Sequence, residues 1–97
     1  MIVADVTFYP IGKGISVSEA IKGVIGKIRE TGLKVYPNSM ATVIESPDME
    51  KLLDAVRKGE KYLTDLGYTR VETILRIDHR LDLDNSVERK LKAIGEL

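Results

Sequence analysis

Two hydrophobic periodicities alternate along this chain, and their order constrains the fold more than any other feature of the sequence. A period of two residues is typical of a strand with one buried face, whereas a period of about 3.6 residues is typical of a helix with one apolar stripe. Strand-like segments cover 2–9, 33–36, 41–45 and 68–78, and helical stripes cover 17–28, 49–66 and 87–94. The sequence therefore predicts one strand before the first helix, two strands between the main helices and one strand after the second.

This order is the split βαβ arrangement with an additional C-terminal helix, and it predicts an α+β, ferredoxin-like βαββαβ antiparallel sandwich. Right-handed crossovers are expected to put both main helices on one face and to pair the first and fourth strands at the centre of the sheet. The opposite face would then carry Val3, Asp5, Thr7, Tyr9, Glu72, Ile74 and Arg76. Such a face is too apolar for plain solvent and too charged for a core, so we expect it to pack in an oligomer, with Arg76 paired to Glu72.

Three helix starts are predicted from capping residues, whose side chains accept a free backbone N–H group. These starts are Ser16 with Glu19, Ser46 before Pro47, and Asn85 with Glu88. In the first helix, Gly23 and Gly26 each weaken helix formation by about 1 kcal/mol relative to Ala. We interpret both glycines as positions of close packing against a neighbour.

The composition excludes several classes of function. The 97 residues suit a single domain, and 15 basic residues balance 15 acidic ones, which removes the broad attraction that nucleic-acid binding uses. The chain has no cysteine and only one histidine, so disulfides, thiol chemistry and a multi-histidine metal site within one chain are excluded. No apolar run is long enough to span a bilayer, and residues 1–5 lack the basic start of a signal peptide. We expect a cytoplasmic protein without a cofactor or metal and without nucleic acid or a membrane as partner.

One segment combines polar groups that suit a small heteroaromatic ligand. Residues 36–45 hold an aromatic ring, an amide, hydroxyls and a carboxylate around one predicted hairpin. An aminopyrimidine presents ring nitrogens that accept hydrogen bonds and an exocyclic amine that donates them, so these groups match its edge. Ordinary turn chemistry is the simpler explanation of the same residues, and the segment alone names no ligand.

Two other segments have the spacing of known sites but lack essential residues. Gly12-Lys13-Gly14 precedes a helix and suits a phosphate, yet the Walker pattern is absent, which favours a plain connector. Asp78, Asp82 and Asp84 alternate as calcium ligands do, but the glycine and the distal glutamate of the EF-hand loop are missing. We interpret this second segment as a solvated turn and the neighbouring His79 as a surface residue.

Five short motifs occur in order across nearly the whole chain. They are YPIG at 9–12, SVS at 16–18, SMATVIE at 39–45, GYTRV at 67–71 and IDHRLD at 77–82. Together they resemble the thiamine-binding family of small proteins. The resemblance implies a ferredoxin-like fold, assembly into homodimers or homotetramers through sheet faces and edges, no catalysis, and binding of thiamine or its hydroxymethylpyrimidine half.

The same resemblance implies which side chains contact the ligand. The expected contacts are Thr42 and Glu45 in the third strand, Ser18 at the first helix, and Asn38 and Tyr36 in the hairpin. Ala41 stands where the family usually has glycine, and its methyl group is expected to narrow the pocket. The alternative is an oligomeric module that binds a protein partner or another metabolite, because this fold hosts many functions; an enzyme is a more distant possibility.

Overall fold

The computed structural model describes residues 1–12 and 17–97, and it confirms the ferredoxin-like α+β sandwich. In chain order the elements are β1 (Ile2–Ile11), α1 (Ser18–Arg29), β2 (Lys34–Pro37), β3 (Thr42–Ser46), α2 (Met49–Asp65), β4 (Arg70–His79) and α3 (Val87–Ala93). The predicted cap at Ser16 and the Lys13-Gly14 part of the connector lie outside the described residues. In the part of the chain that is described, no helix is long and apolar enough to cross a membrane.

The order of the strands corrects one prediction. The sheet runs β2-β3-β1-β4, so β1 and β3 are the central strands and β4 is an edge strand. β1 pairs antiparallel with β4, as predicted, but it also pairs with β3 on its other side. The crossover through α2 carries the chain from β3 past β1, which leaves β4 at the margin. The prediction that β4 is central was therefore wrong.

The core lies between the two main helices and the face of the sheet that they cover. The predicted alternation in β1 is confirmed, and this core includes Ile2, Ala4, Val6, Phe8, Val24, Ile28, Ile44, Leu52 and Leu63. Gly23 is a position of close packing, because a Cβ atom there would overlap the phenol end of Tyr62. Gly26 is not, since an added Cβ atom would meet nothing within 4 Å, so that part of the prediction was wrong.

The start of α2 also differs from the predicted one. Asp48 is the N-cap, and its carboxylate accepts a hydrogen bond from the Lys51 backbone N–H at 2.8 Å. Ser46 instead ends β3, where it pairs with Ile2 and is buried. The Ser46 hydroxyl donates to the Asp48 carbonyl oxygen at 2.7 Å. Ser46 thus shapes the turn before the helix, and the helix begins two residues later than its polar side chain indicated.

Helix α3 packs on the opposite, outer face of the sheet at the end where β1 begins. Its N-cap is Ser86, which accepts from the Arg89 backbone N–H at 3.0 Å, and not Asn85 as predicted. Asn85 is buried because its side chain turns toward β4 and donates to the Asp78 carboxylate at 3.3 Å. Lys90 Nζ lies 2.5 Å from the same carboxylate.

The remainder of the outer face is exposed and carries charges of both signs. Arg76 does not pair with Glu72 as predicted, because Asp5 lies directly opposite it on β1. The Arg76 guanidinium contacts the Asp5 carboxylate at 2.6 Å, while Glu72 contacts Arg70 at 3.1 Å. Residues directly opposite each other on paired strands lie closer together than residues four positions apart on one strand, as Arg76 and Glu72 are, which explains the difference.

Candidate functional site

A cleft opens between the β2–β3 hairpin and α1, on the helix side of the sheet. Its volume is about 210 Å³. The floor is apolar and consists of Val6, Phe8, Ile21, Val24 and Ile25. The hairpin residues from Asn38 to Thr42 and the strand residue Thr7 complete the lining, which includes the polar residues Asn38, Ser39 and Thr42. The cleft therefore combines an apolar floor with hydroxyl and amide groups on one side.

A second groove continues from this cleft along α1. It has a volume of about 460 Å³, includes Ser18, Arg29 and Pro37, and shares Ile21 and Ile25 with the cleft. Small-molecule sites usually occupy about 300–1,000 Å³, so the cleft alone is small for a vitamin and the groove supplies the missing volume. The two spaces adjoin at Ile21 and Ile25, which line both of them.

The hairpin holds its polar groups in fixed positions. The Asn38 backbone N–H donates to the Ala41 carbonyl oxygen at 2.9 Å, which closes the turn. On the other side, the Thr7 hydroxyl donates to the Met40 carbonyl oxygen at 3.4 Å and ties the turn to β1. Thr42 belongs to β3 and is paired with both neighbouring strands, so its side chain is positioned by the sheet itself.

Three of the five predicted ligand contacts line this surface, and two do not. Thr42 and Asn38 line the cleft, and Ser18 lines the adjoining groove. Glu45 lies three residues beyond Thr42 on the same strand, and side chains an odd number of residues apart in a strand point to opposite faces. Tyr36 shares the outer face with Glu45, because it pairs with Val43.

Glu45 contacts α3 on that outer face. Its side chain is 3 % exposed, and Oε1 accepts a hydrogen bond from the Val87 backbone N–H at 2.5 Å. This N–H belongs to the first residue of α3, where backbone donors have no partner within the helix. Glu45 therefore holds α3 against the sheet.

Two other carboxylates around α3 accept hydrogen bonds from lysine side chains. The hydrogen bond from Lys90, assisted by the one from Asn85, holds the pKa of Asp78 below its usual value. A hydrogen bond from Lys92 lowers the pKa of Glu88 in the same way. Residues 1–12 and 17–97 contain no group of three or more acidic, histidine or cysteine side chains that could hold a metal ion.

Sequence reasoning missed the part that Ile21 and Ile25 play in this surface. Both were assigned to the apolar stripe of α1, and both are only half-buried. The fully buried side of the helix is formed by Ala20, Val24 and Ile28. The width of the apolar stripe could have revealed this role, because Ile21 and Ile25 make the stripe wider than the part of the helix that the core buries.

These features define a small ferredoxin-like domain with a ligand-sized surface between its hairpin and its first helix. The model of the family described as thiamine-binding protein matches residues 4–95. The chain belongs to this thiamine-binding protein family.

Several relatives share the sequence or the fold over almost their whole length. UPF0045 protein MJ1052 of Methanocaldococcus jannaschii is 44% identical over 97 residues, which cover 99% of this chain and 94% of the relative. The crystal structure of MJ1052, described as a hypothetical protein, matches with a TM-score of 0.91 at 43% identity, over 99% of this chain and 97% of that one. The Thermotoga maritima protein TM0486, whose name suggests thiamine biosynthesis or salvage, matches with a TM-score of 0.82 at 22% identity, over 96% and 97% of the two chains. This last likeness shows the fold alone.

Proposed function

We propose that the protein binds thiamine or its hydroxymethylpyrimidine half in the cleft beside the hairpin, as a homo-oligomer and without catalysis. The family match over residues 4–95 carries the choice of ligand. The cleft supports it, because an apolar floor next to hydroxyl and amide groups suits a flat heteroaromatic ring with a polar edge.

The chemistry of the rim fits an aminopyrimidine. The Thr42 hydroxyl both donates and accepts, and the Asn38 amide offers a donor and an acceptor, so they complement the amine and ring nitrogens of the ligand. In this proposal Ile21 and Ile25, which line both the cleft and the groove, contact one face of the ring. The groove that contains Ser18 takes the remainder of the molecule. Within one protomer such a ligand does not reach Glu45 or Tyr36, which lie across the sheet.

Calorimetric titration with thiamine and with hydroxymethylpyrimidine tests this proposal, alongside light scattering to determine the assembly. Wild type is expected to give saturable binding. Thr42→Val keeps the shape but loses the hydroxyl, and we expect affinity to fall about three- to tenfold for one lost hydrogen bond. Thr64→Val is the matched control, because Thr64 is exposed on α2 and its hydroxyl bonds only within the helix.

One further variant and two further results locate the site and distinguish a vitamin-binding protein from a module with another partner and from an enzyme. Glu45→Gln is expected to bind as wild type does, and a loss of affinity in that variant would place the ligand on the outer face instead. Absence of heat with either ligand would overturn the vitamin proposal and favour a module that binds a protein or another metabolite. Recovery of unchanged thiamine after prolonged incubation is expected for a binder, whereas turnover would identify an enzyme.

A further inference from the structure

The groove along α1, which adjoins the cleft, is lined by basic side chains and by no carboxylate. Its lining includes Lys22 and Arg29, together with Ile21 and Ile25, which also line the cleft. The cleft itself has no charged residue in its lining. The groove beside α3 on the outer face differs, because its basic and acidic side chains are equal in number: Arg76 and Lys90 with Asp5 and Asp78. The surface along α1 therefore combines a neutral cleft with a positively charged groove.

Neither basic side chain of this groove is neutralised by a carboxylate. Lys22 and Arg29 are both exposed, and neither takes part in an ion pair with any described residue. Glu30, which follows Arg29 in the sequence, pairs instead with Lys27 at 3.5 Å. Residues 13–16, which precede the groove in the sequence, contain no Asp or Glu. The charge of the groove is therefore available to a ligand.

The two basic residues lie on the same side of α1. They are seven residues apart, which is close to two helical turns, so their side chains start about 10 Å apart along the helix axis and nearly in line. Ile25 lies between them and lines both the cleft and the groove. A group that extends out of the cleft past Ile25 therefore has Lys22 toward one end of the helix and Arg29 toward the other.

The charge of the groove distinguishes among the ligands that suit the cleft. With an aminopyrimidine ring in the cleft, the thiazolium of thiamine would lie in the groove, and such a cation is favoured by an aromatic face or a carboxylate. The groove lining has neither. A phosphate group is favoured instead, because a phosphate monoester carries about −1.5 to −2 charge at pH 7 and accepts hydrogen bonds from lysine and arginine.

We infer that the preferred ligand is a phosphate ester of hydroxymethylpyrimidine, with the ring in the cleft and the phosphate in the groove between Lys22 and Arg29. The inference rests on the proposed function and names the form of the ligand that the same site selects. The Arg29 guanidinium can donate to two phosphate oxygens side by side, whereas the Lys22 ammonium acts as a compact charge. Both side chains then determine specificity, because they contact the phosphate and not the ring.

Calorimetric titration of the wild type with hydroxymethylpyrimidine and with its phosphate ester tests the inference directly. The two compounds share the ring, so their contacts in the cleft cancel in the comparison. We expect the phosphate ester to bind about tenfold more tightly at low ionic strength. This advantage is expected to shrink as salt is added, since both basic side chains are exposed. Thiamine monophosphate is likewise expected to bind more tightly than thiamine.

Substitutions in the groove separate the phosphate contacts from the ring contacts. Lys22→Met and Arg29→Gln each keep an unbranched side chain with good helix propensity but lose the charge. Each is expected to weaken binding of the phosphate ester about three- to tenfold, and to leave the affinity for hydroxymethylpyrimidine within about twofold. Lys51→Met is the matched control, because Lys51 is exposed on α2 and does not line the groove.

Reversal of both charges provides a test that a loss of folding cannot imitate. The double variant Lys22→Glu with Arg29→Glu places two carboxylates where the wild type has two cations. It is expected to bind the phosphate ester at least about tenfold more weakly than the wild type does. It is also expected to bind thiamine more tightly, because carboxylates favour the thiazolium. A gain in affinity for one ligand requires a folded site.

Three results would overturn the inference: equal affinity of the wild type for hydroxymethylpyrimidine and its phosphate ester, an affinity for the ester that neither groove substitution changes, or an ester that binds no more tightly than inorganic phosphate. The first two leave the proposed function standing if the parent compounds bind and Thr42→Val weakens them. The third would indicate anion binding without the ring, and the Thr42→Val titration then decides the proposed function separately. Absence of binding by every one of these compounds would overturn both proposals.

Discussion

Replacement of Glu45 by alanine is expected to release α3 from the sheet while the remainder of the domain stays folded. The change removes the carboxylate that accepts from the Val87 backbone N–H. A buried donor left without a partner costs about 1–3 kcal/mol. Glu45→Gln keeps an acceptor oxygen in place of the carboxylate, so its cost is expected to be about 1 kcal/mol or less.

The apolar contacts of α3 are too few to absorb the larger loss. No residue of α3 is fully buried, and its contacts with the sheet depend on half-buried Val87 and Leu91. Full burial of an aliphatic side chain stabilises by about 1.5–3 kcal/mol, so two half-buried ones together provide about the same amount. The loss in Glu45→Ala is of the same size, which makes local detachment the expected response rather than global unfolding.

Hydrogen exchange followed by mass spectrometry or NMR measures this directly. A loss of about 2 kcal/mol corresponds to roughly thirty-fold faster exchange of the α3 amides, with the amides of β1 and β3 unchanged. Glu96→Ala, an exposed glutamate beyond the end of α3, is the matched control. Unchanged protection of α3 in Glu45→Ala would refute the argument, and so would equal loss of protection throughout the core.

Two further predictions concern stability. Gly26→Ala is expected to raise the free energy of unfolding by about 0.5–1 kcal/mol, because Ala has the higher helix propensity and its Cβ atom would meet no neighbour. Gly23→Ala is expected to be about 1–2 kcal/mol less stable than Gly26→Ala in urea titrations, because the added Cβ atom would force Tyr62 to move. Acid is expected to destabilise the fold, because Lys90 lowers the pKa of Asp78 in the folded state, so the unfolded chain takes up protons more readily. The stabilisation is complete above the ordinary carboxyl pKa near 4 and is lost as the pH falls below it. The urea midpoint of unfolding is therefore expected to drop between pH 5 and pH 3, and to drop less steeply in Lys90→Met. An equal drop in that variant would contradict the assignment of the effect to Lys90 and Asp78.

The fold was predictable because its determinants are local. The number and order of the elements followed from strict alternation in residues 2–9 and 68–78 and from two wide apolar stripes. The preference for right-handed crossovers restricted how these elements connect. The position of β4 at the edge was not found, because alternation looks the same in an edge strand and in a central strand with one exposed face.

Polar residues were harder to interpret than apolar ones, because each polar side chain has several possible partners. Ser46 and Asn85 both precede helices and both have side chains that cap helices well, yet each turns inward to a different partner. The neighbouring residues Asp48 and Ser86 cap the two helices instead. The choice between adjacent candidates depends on which of them the sheet buries, and that is a tertiary property.

The predicted ligand contacts are divided between two faces of the sheet because successive side chains of a strand point in opposite directions. Thr42 and Glu45 stand in one motif, but three positions of a strand separate them, so the sheet lies between their side chains. A ligand in the cleft of one protomer is therefore remote from Glu45 of the same protomer. Contact between Glu45 and a bound ligand would require an assembly that stacks the outer face of one protomer against the helix side of another, with α3 displaced from the Glu45 carboxylate.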